Sequence, residues 1–123
     1  MVVSRVGQGY YRQQIMEKWK NECPVTGCNI SRILISSHIV PWSECNDEER
    51  LDVENGILLS PNVDSLFDKH LISFQDTGEM IISSKLSIKD LEKLGVSIES
   101  NIPISEGMKK YLEKHRTRLF KND

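Results

Sequence analysis

Four side chains able to do acid–base or metal chemistry stand close together: His38, Asn55, Asp64 and Asp68, at intervals of 17, 9 and 4 residues. An imidazole with an unperturbed pKa near 6.5 can act as a neutral base at pH 7. A carboxylate offers hard anionic oxygen suited to Mg²⁺ or Mn²⁺. Two carboxylates four residues apart share one face of a helix. Asn55 has no proton chemistry to offer; its amide is better suited to pinning a neighbouring loop.

The elements that must position these groups can be read from the flanking pattern. Ile33–Ser37 is apolar and β-branched enough for a buried strand, which closes at Ser37-His38 before Pro41. Ser43–Glu54 is polar, acidic and without period, and is expected to be a loop. Gly56–Ser60 is a second short strand. Ser60 followed by Pro61 signals a helix start, with Ser as N-cap and Pro at the first helical position. Val63, Leu66 and Phe67 then give that helix a buried stripe to about Lys69. The order is strand, long loop, strand, helix, a core spanning about residues 33–70.

Around this core, Tyr11, Ile15 and Trp19 recur at helical spacing within a helix over Tyr10–Lys20. Pro24 and Gly27 make Asn21–Cys28 a turn. Leu71–Phe74 and Met80–Ser84 flank Asp76-Thr77-Gly78 as a hairpin. Ser87–Leu94 reads as a short helix closed by Gly95. Ser105 is positioned to cap a last helix to about Phe120, with Met108, Tyr111, Leu112, His115 and Leu119 on one side.

The chain has 123 residues, 38% hydrophobic and 28% charged, which fits one globular domain with one modest core. No apolar run approaches the roughly 20 residues of a membrane span, and Met1 to Gly9 lacks the apolar region of a secretory signal. Three cysteines, Cys23, Cys28 and Cys45, argue against a disulfide framework and for a reducing cytoplasm. The net charge of −2 hides an asymmetry: residues 1–32 sum to +3 and residues 33–70 to −6, while residues 108–121 hold six basic side chains and one acidic. An acidic middle between basic flanks suits a metal site beside a phosphate-binding surface. It equally suits a solvated loop.

Ser37-His38-Ile39-Val40-Pro41-Trp42, then Asn55-Gly56-Ile57-Leu58-Leu59, then Asp64-Ser65-Leu66-Phe67-Asp68 resemble an HNH endonuclease of the ββα-metal fold. More narrowly, Arg5-Val6-Gly7-Gln8-Gly9-Tyr10-Tyr11-Arg12, Cys23-Pro24-Val25-Thr26-Gly27 and Tyr111-Leu112-Glu113-Lys114-His115-Arg116 are similar to the HNH subfamily attached to restriction-type proteins. The resemblance implies an α+β domain over residues 1–123: a ββα-metal core with flanking helices and an extra β-hairpin. It implies metal-dependent DNA hydrolysis, with His38 as general base, Asn55 holding the loop and Asp64 as ligand to Mg²⁺ or Mn²⁺. Asp68 is a candidate second carboxylate. Arg5, Arg12, Lys109, Lys110, Lys114, Arg116 and Arg118 are candidates for phosphate contacts. A target-recognition domain, fused or separate, commonly accompanies this type, so the chain can be a fragment of something longer, and a dimer is one option for its assembly.

The sequence departs from the family pattern in two places. Many HNH nucleases carry an Asp or His ligand just before the base, where this chain has Ser37. Many also bind structural zinc through two Cys-x-x-Cys pairs, but here Thr26 stands where the partner of Cys23 would be and no second pair follows near Ser60–Asp64. No structural zinc is expected; Cys23 reads as a buried small residue and the other two as incidental. Trp19 and Trp42 read as core packing. His70 is not read as the third catalytic letter, since that position falls on Asp64. Two alternatives stand beside the nuclease: a degenerate module that binds DNA without cutting, and a zinc-binding structural domain.

Overall fold

A computed structural model describes residues 7–122. Strand β1 (Ile35–His38) pairs antiparallel with β2 (Gly56–Leu59), in a register that sets Ile35 opposite Leu59 and His38 opposite Gly56. β1 begins two residues later than the expected Ile33–Ser37 strand. It is not buried throughout, since Ile33 and Ile35 are exposed and Ser37 is its one buried residue. The strand runs through the Ser37-His38 pair and ends on His38, before Pro41. β2 is buried on both faces. Helix α1 (Gln8–Lys18) packs against it through Tyr11 and Ile15, which lie one turn apart. The helix starts and stops two residues earlier than its periodicity implies, since Lys20 and Asn21 turn into the left-handed region.

Gly56 is required where α1 crosses β2. A Cβ there would come within 2.5 Å of Ile15 Cδ1 and closer still to Tyr11 Oη. Gly56→Ala is therefore expected to destabilise the fold by about 2 kcal/mol through overpacking, read as a lowered denaturation midpoint at unchanged m-value.

The segment between β1 and β2, expected to be an irregular loop, contains a 3₁₀ turn at Trp42–Glu44 and helix α2 (Asp47–Leu51). The reason is local. Asn46 Oδ1 accepts from the Glu49 N–H while Glu49 Oε1 accepts from the Asn46 N–H, both at 2.9 Å. That reciprocal cap nucleates a helix too short to show hydrophobic periodicity.

Helix α3 (Pro61–Asp68) follows β2 and buries Val63, Leu66 and Phe67. Ser60 precedes it but does not cap it with its side chain, contrary to expectation. Its hydroxyl instead donates to Asn62 Oδ1 at 2.7 Å and accepts from Thr26 Oγ1, tying α3 to the 23–28 turn. Strands β3 (Ile72–Phe74) and β4 (Met80–Ile82) form a second antiparallel pair, with Gly78 at φ 94° between them. Helix α4 (Ile88–Lys93) is capped at its start by the reciprocal hydrogen bonds of Ser87 and Asp90. Ser105 opens a 3₁₀ turn at Glu106–Met108 rather than the last helix itself, α5 (Lys109–Asn122).

α5 is locked to β3 and α3 through a buried histidine. His115 Nε2–H donates to the Phe67 carbonyl at 2.8 Å, which leaves Nδ1 to accept from the Ser73 hydroxyl at 2.7 Å. Burial, reinforced by the nearby His70, pushes its pKa down to about 3, so it is a neutral structural group. Among the described residues no helix is long and apolar enough to cross a membrane.

Candidate active site

His38 sits at the mouth of the β1–β2 hairpin, and its ring is held on three sides. Nε2 lies 2.8 Å from the Arg50 carbonyl oxygen. A carbonyl only accepts, so in the neutral ring Nε2 carries the proton and Nδ1 is left as a lone-pair acceptor. Tyr11 stacks on one face, with ring centroids 4.4 Å apart and planes 9° from parallel. Trp42 meets the ring edge-on at 5.7 Å. Burial lowers the His38 pKa below its usual 6.5 and the Arg50 charge adds to this, outweighing the Arg50 carbonyl. The group is thus a neutral base at pH 7.

Asn55 is completely buried and spends its amide on the loop that follows His38. Oδ1 accepts from the Val40 N–H at 3.0 Å, two residues after His38. Nδ2 donates to the Glu49 carbonyl at 3.0 Å, one residue before Arg50, and reaches Cys45 Sγ at 3.4 Å. One side chain therefore fixes both ends of the 40–49 segment and places the carbonyl that holds His38. Contrary to expectation, Cys45 is not incidental. Its buried thiol packs on this pin and donates to the Val40 and Pro41 carbonyls.

Asp64, in the first turn of α3, interacts with the hydroxyl of Ser37, the residue next to His38. Partial burial raises the Asp64 pKa and the like charge of Asp68 adds to the rise, against the hydroxyl of Ser37, which favours the ionised form. Asp68, one turn further on, is exposed. Among the described residues no three His, Cys, Asp or Glu side chains converge as a ready-made cage for a metal. The donor set fits a cation that keeps most of its water: one half-buried carboxylate under like-charge pressure, a second within a helical turn, and a hydroxyl. Mg²⁺ characteristically binds through one or two carboxylates together with substrate phosphate oxygens.

The structure disperses the candidate phosphate contacts. Arg5 lies outside the described residues. Arg12 is committed to the fold, donating to the Leu34 carbonyl at 2.8 Å and the Ser31 carbonyl at 2.9 Å. Arg116 likewise donates to the Phe74 carbonyl and to Asp76. Arg118 pairs with Glu44, clasping α5 to the segment after His38. Lys109 pairs with Glu106, Lys110 lies over the Tyr111 ring, and Lys114 is exposed on α5.

His70 follows α3 in the left-handed region, at φ 58°, and stacks on His115 rather than joining His38 and Asn55. Cys23 is buried in the 23–28 turn, where its thiol pKa is lowered: burial raises it, but hydrogen bonds led by those from Thr26 overcome that. Three contacts that hold the His38 ring carry no signal in the sequence pattern: Tyr11, Trp42 and the Arg50 carbonyl. Tyr11 and Trp42 looked like core packing, and a carbonyl leaves no mark in a sequence at all.

The HNH endonuclease family model matches residues 23–75, a span that includes His38, Asn55, Asp64 and Asp68. No curated protein matches the chain.

Proposed function

We propose that this chain, whose residues 23–75 match an HNH endonuclease family model, is a metal-dependent DNA endonuclease of the ββα-metal fold in which His38 is the general base. The observation that carries the reading is the imidazole itself. Its Nε2–H is spent on the Arg50 carbonyl, so Nδ1 is the acceptor that takes a proton from the attacking water. Asn55 positions this base through the loop and touches no reacting atom. Asp64, with Asp68 as second carboxylate, would hold Mg²⁺ or Mn²⁺. When bound, the cation supplies charge stabilisation to the phosphate and to the leaving 3′ oxygen.

Residues 1–123 are read as one nuclease domain. Lys109, Lys110, Lys114 and Arg118, with Arg12 and Arg116 alongside their structural bonds, are read as the candidate phosphate contacts; Arg5, the remaining candidate, lies outside the described residues. The restriction-type assignment, and with it a fused or separate target-recognition domain, is supported by the likeness of residues 5–12, 23–27 and 111–116 to that subfamily, and a cytoplasmic setting by the odd number of cysteines, none of them in a disulfide.

The deciding experiment is supercoiled-plasmid cleavage with Mg²⁺, Mn²⁺ or EDTA. Nicking is expected with either metal, is abolished by EDTA and returns when metal is restored. Cleavage undiminished in EDTA would overturn the metal-dependent reading. A second reading, DNA binding without cleavage, is favoured by Ser37 standing where many relatives place a ligand. It predicts salt-dependent DNA affinity with no metal-dependent nicking.

A further inference from the structure

The face of the proposed base is covered by a residue outside the family match. Tyr11 precedes Cys23, where that match begins, yet its ring lies parallel to the His38 imidazole at a centroid separation of 4.4 Å. Its hydroxyl donates to the Asn55 carbonyl at 2.8 Å. Burial holds the Tyr11 pKa well above its usual value, so this group remains a donor. The strand gives way to admit it, since Gly56 has no Cβ where Tyr11 Oη lies.

Each contact on the imidazole removes a different freedom. The Arg50 carbonyl opposes rotation about the Cβ–Cγ bond, the Trp42 edge limits sliding, and a parallel ring 4.4 Å away limits tilt. A core tyrosine needs only apolar surroundings and one acceptor. Tyr11 instead lays its face on the one polar ring of the site and bonds the backbone of the residue that pins the loop.

We infer that Tyr11 is a positioning residue for His38: its ring keeps Nε2 on the Arg50 carbonyl and Nδ1 as the free acceptor, and its hydroxyl ties that geometry to Asn55. The inference rests on the reading of His38 as general base. Base positioning in this chain therefore extends beyond residues 23–75 into α1.

The test compares Tyr11→Phe and Tyr11→Leu in the full chain, with circular dichroism as the check on folding. Imidazole ¹⁵N spectra at mildly alkaline pH report the His38 tautomer in the absence of DNA, and nicking kinetics report kcat and KM. The parent chain and Tyr11→Phe, which keeps the ring, are expected to show one Nε2–H tautomer. Tyr11→Leu should show a tautomer mixture and a kcat lowered about 10–100-fold with KM little changed, as for a displaced catalytic group. A folded Tyr11→Leu with a single Nε2–H tautomer and kcat within about threefold of the parent would overturn the inference. If Tyr11→Leu does not fold, Tyr11→Met, closer in size and equally without a ring, is judged by the same two readouts. A parent chain that never cleaves DNA would sink the nuclease reading alone, because the tautomer is still read without substrate.

Discussion

His38→Ala is expected to lower metal-dependent DNA cleavage by about 10²–10⁴-fold, the usual contribution of a positioned general base. The fold should survive. The variant loses one hydrogen bond to a carbonyl, one ring stack and one edge-on ring contact, together worth about 1.5–4.5 kcal/mol. DNA affinity should change little, because alanine removes no cationic group at pH 7. The pH profile adds an independent check. A base works deprotonated, and burial lowers the folded-state pKa of His38 below 6.5. Cleavage should therefore rise with pH through a midpoint below 6.5, lie on its plateau at neutrality, and lose this acid limb in His38→Ala. A midpoint above 6.5, or an alanine variant that cuts at the parent rate, would remove His38 from the role.

Asn55→Ala is expected to be the most damaging single change to stability within the site, at about 3 kcal/mol. The estimate follows from the groups left behind. The Val40 N–H and the Glu49 carbonyl both lose their partner inside the protein, and an unsatisfied buried polar group costs about 1–3 kcal/mol. Activity should fall further than stability alone explains, since the 40–49 segment carries the chain into the Arg50 carbonyl that orients His38. Asn55→Asp isolates the cause. A carboxylate can still accept from Val40, but it cannot donate to Glu49 and sets a charge against that carbonyl, so it should rescue little. Chemical denaturation and nicking rate, measured on both variants, decide the matter. Less than about 1 kcal/mol lost in Asn55→Ala would show that the loop holds itself.

The pattern of residues already contained the strand–loop–strand–helix order and the chemistry it carries. His38 at a strand end, Asn55 before Gly56, and Asp64 and Asp68 one helical turn apart are local features, dictated by Pro41, by the apolar run of β2 and by Ser60-Pro61 at the head of α3. α2 was also legible in principle, from Asn46 and Glu49 at capping distance, but its five residues carry no hydrophobic period to draw attention to it.

Tertiary structure alone decided how the site is held. Which nitrogen of His38 bears the proton depends on a backbone carbonyl at Arg50, and every residue has such a carbonyl. Tyr11 meets His38 across 27 residues and Asn55 across 44, distances over which spacing carries no signal. The same holds for Arg12 and Arg116. Composition marks them as free cations, whereas the fold spends them on the carbonyls of Leu34, Ser31 and Phe74. Side-chain type and local period determine which chemistry is present; long-range packing determines which atom of each group remains free to perform it.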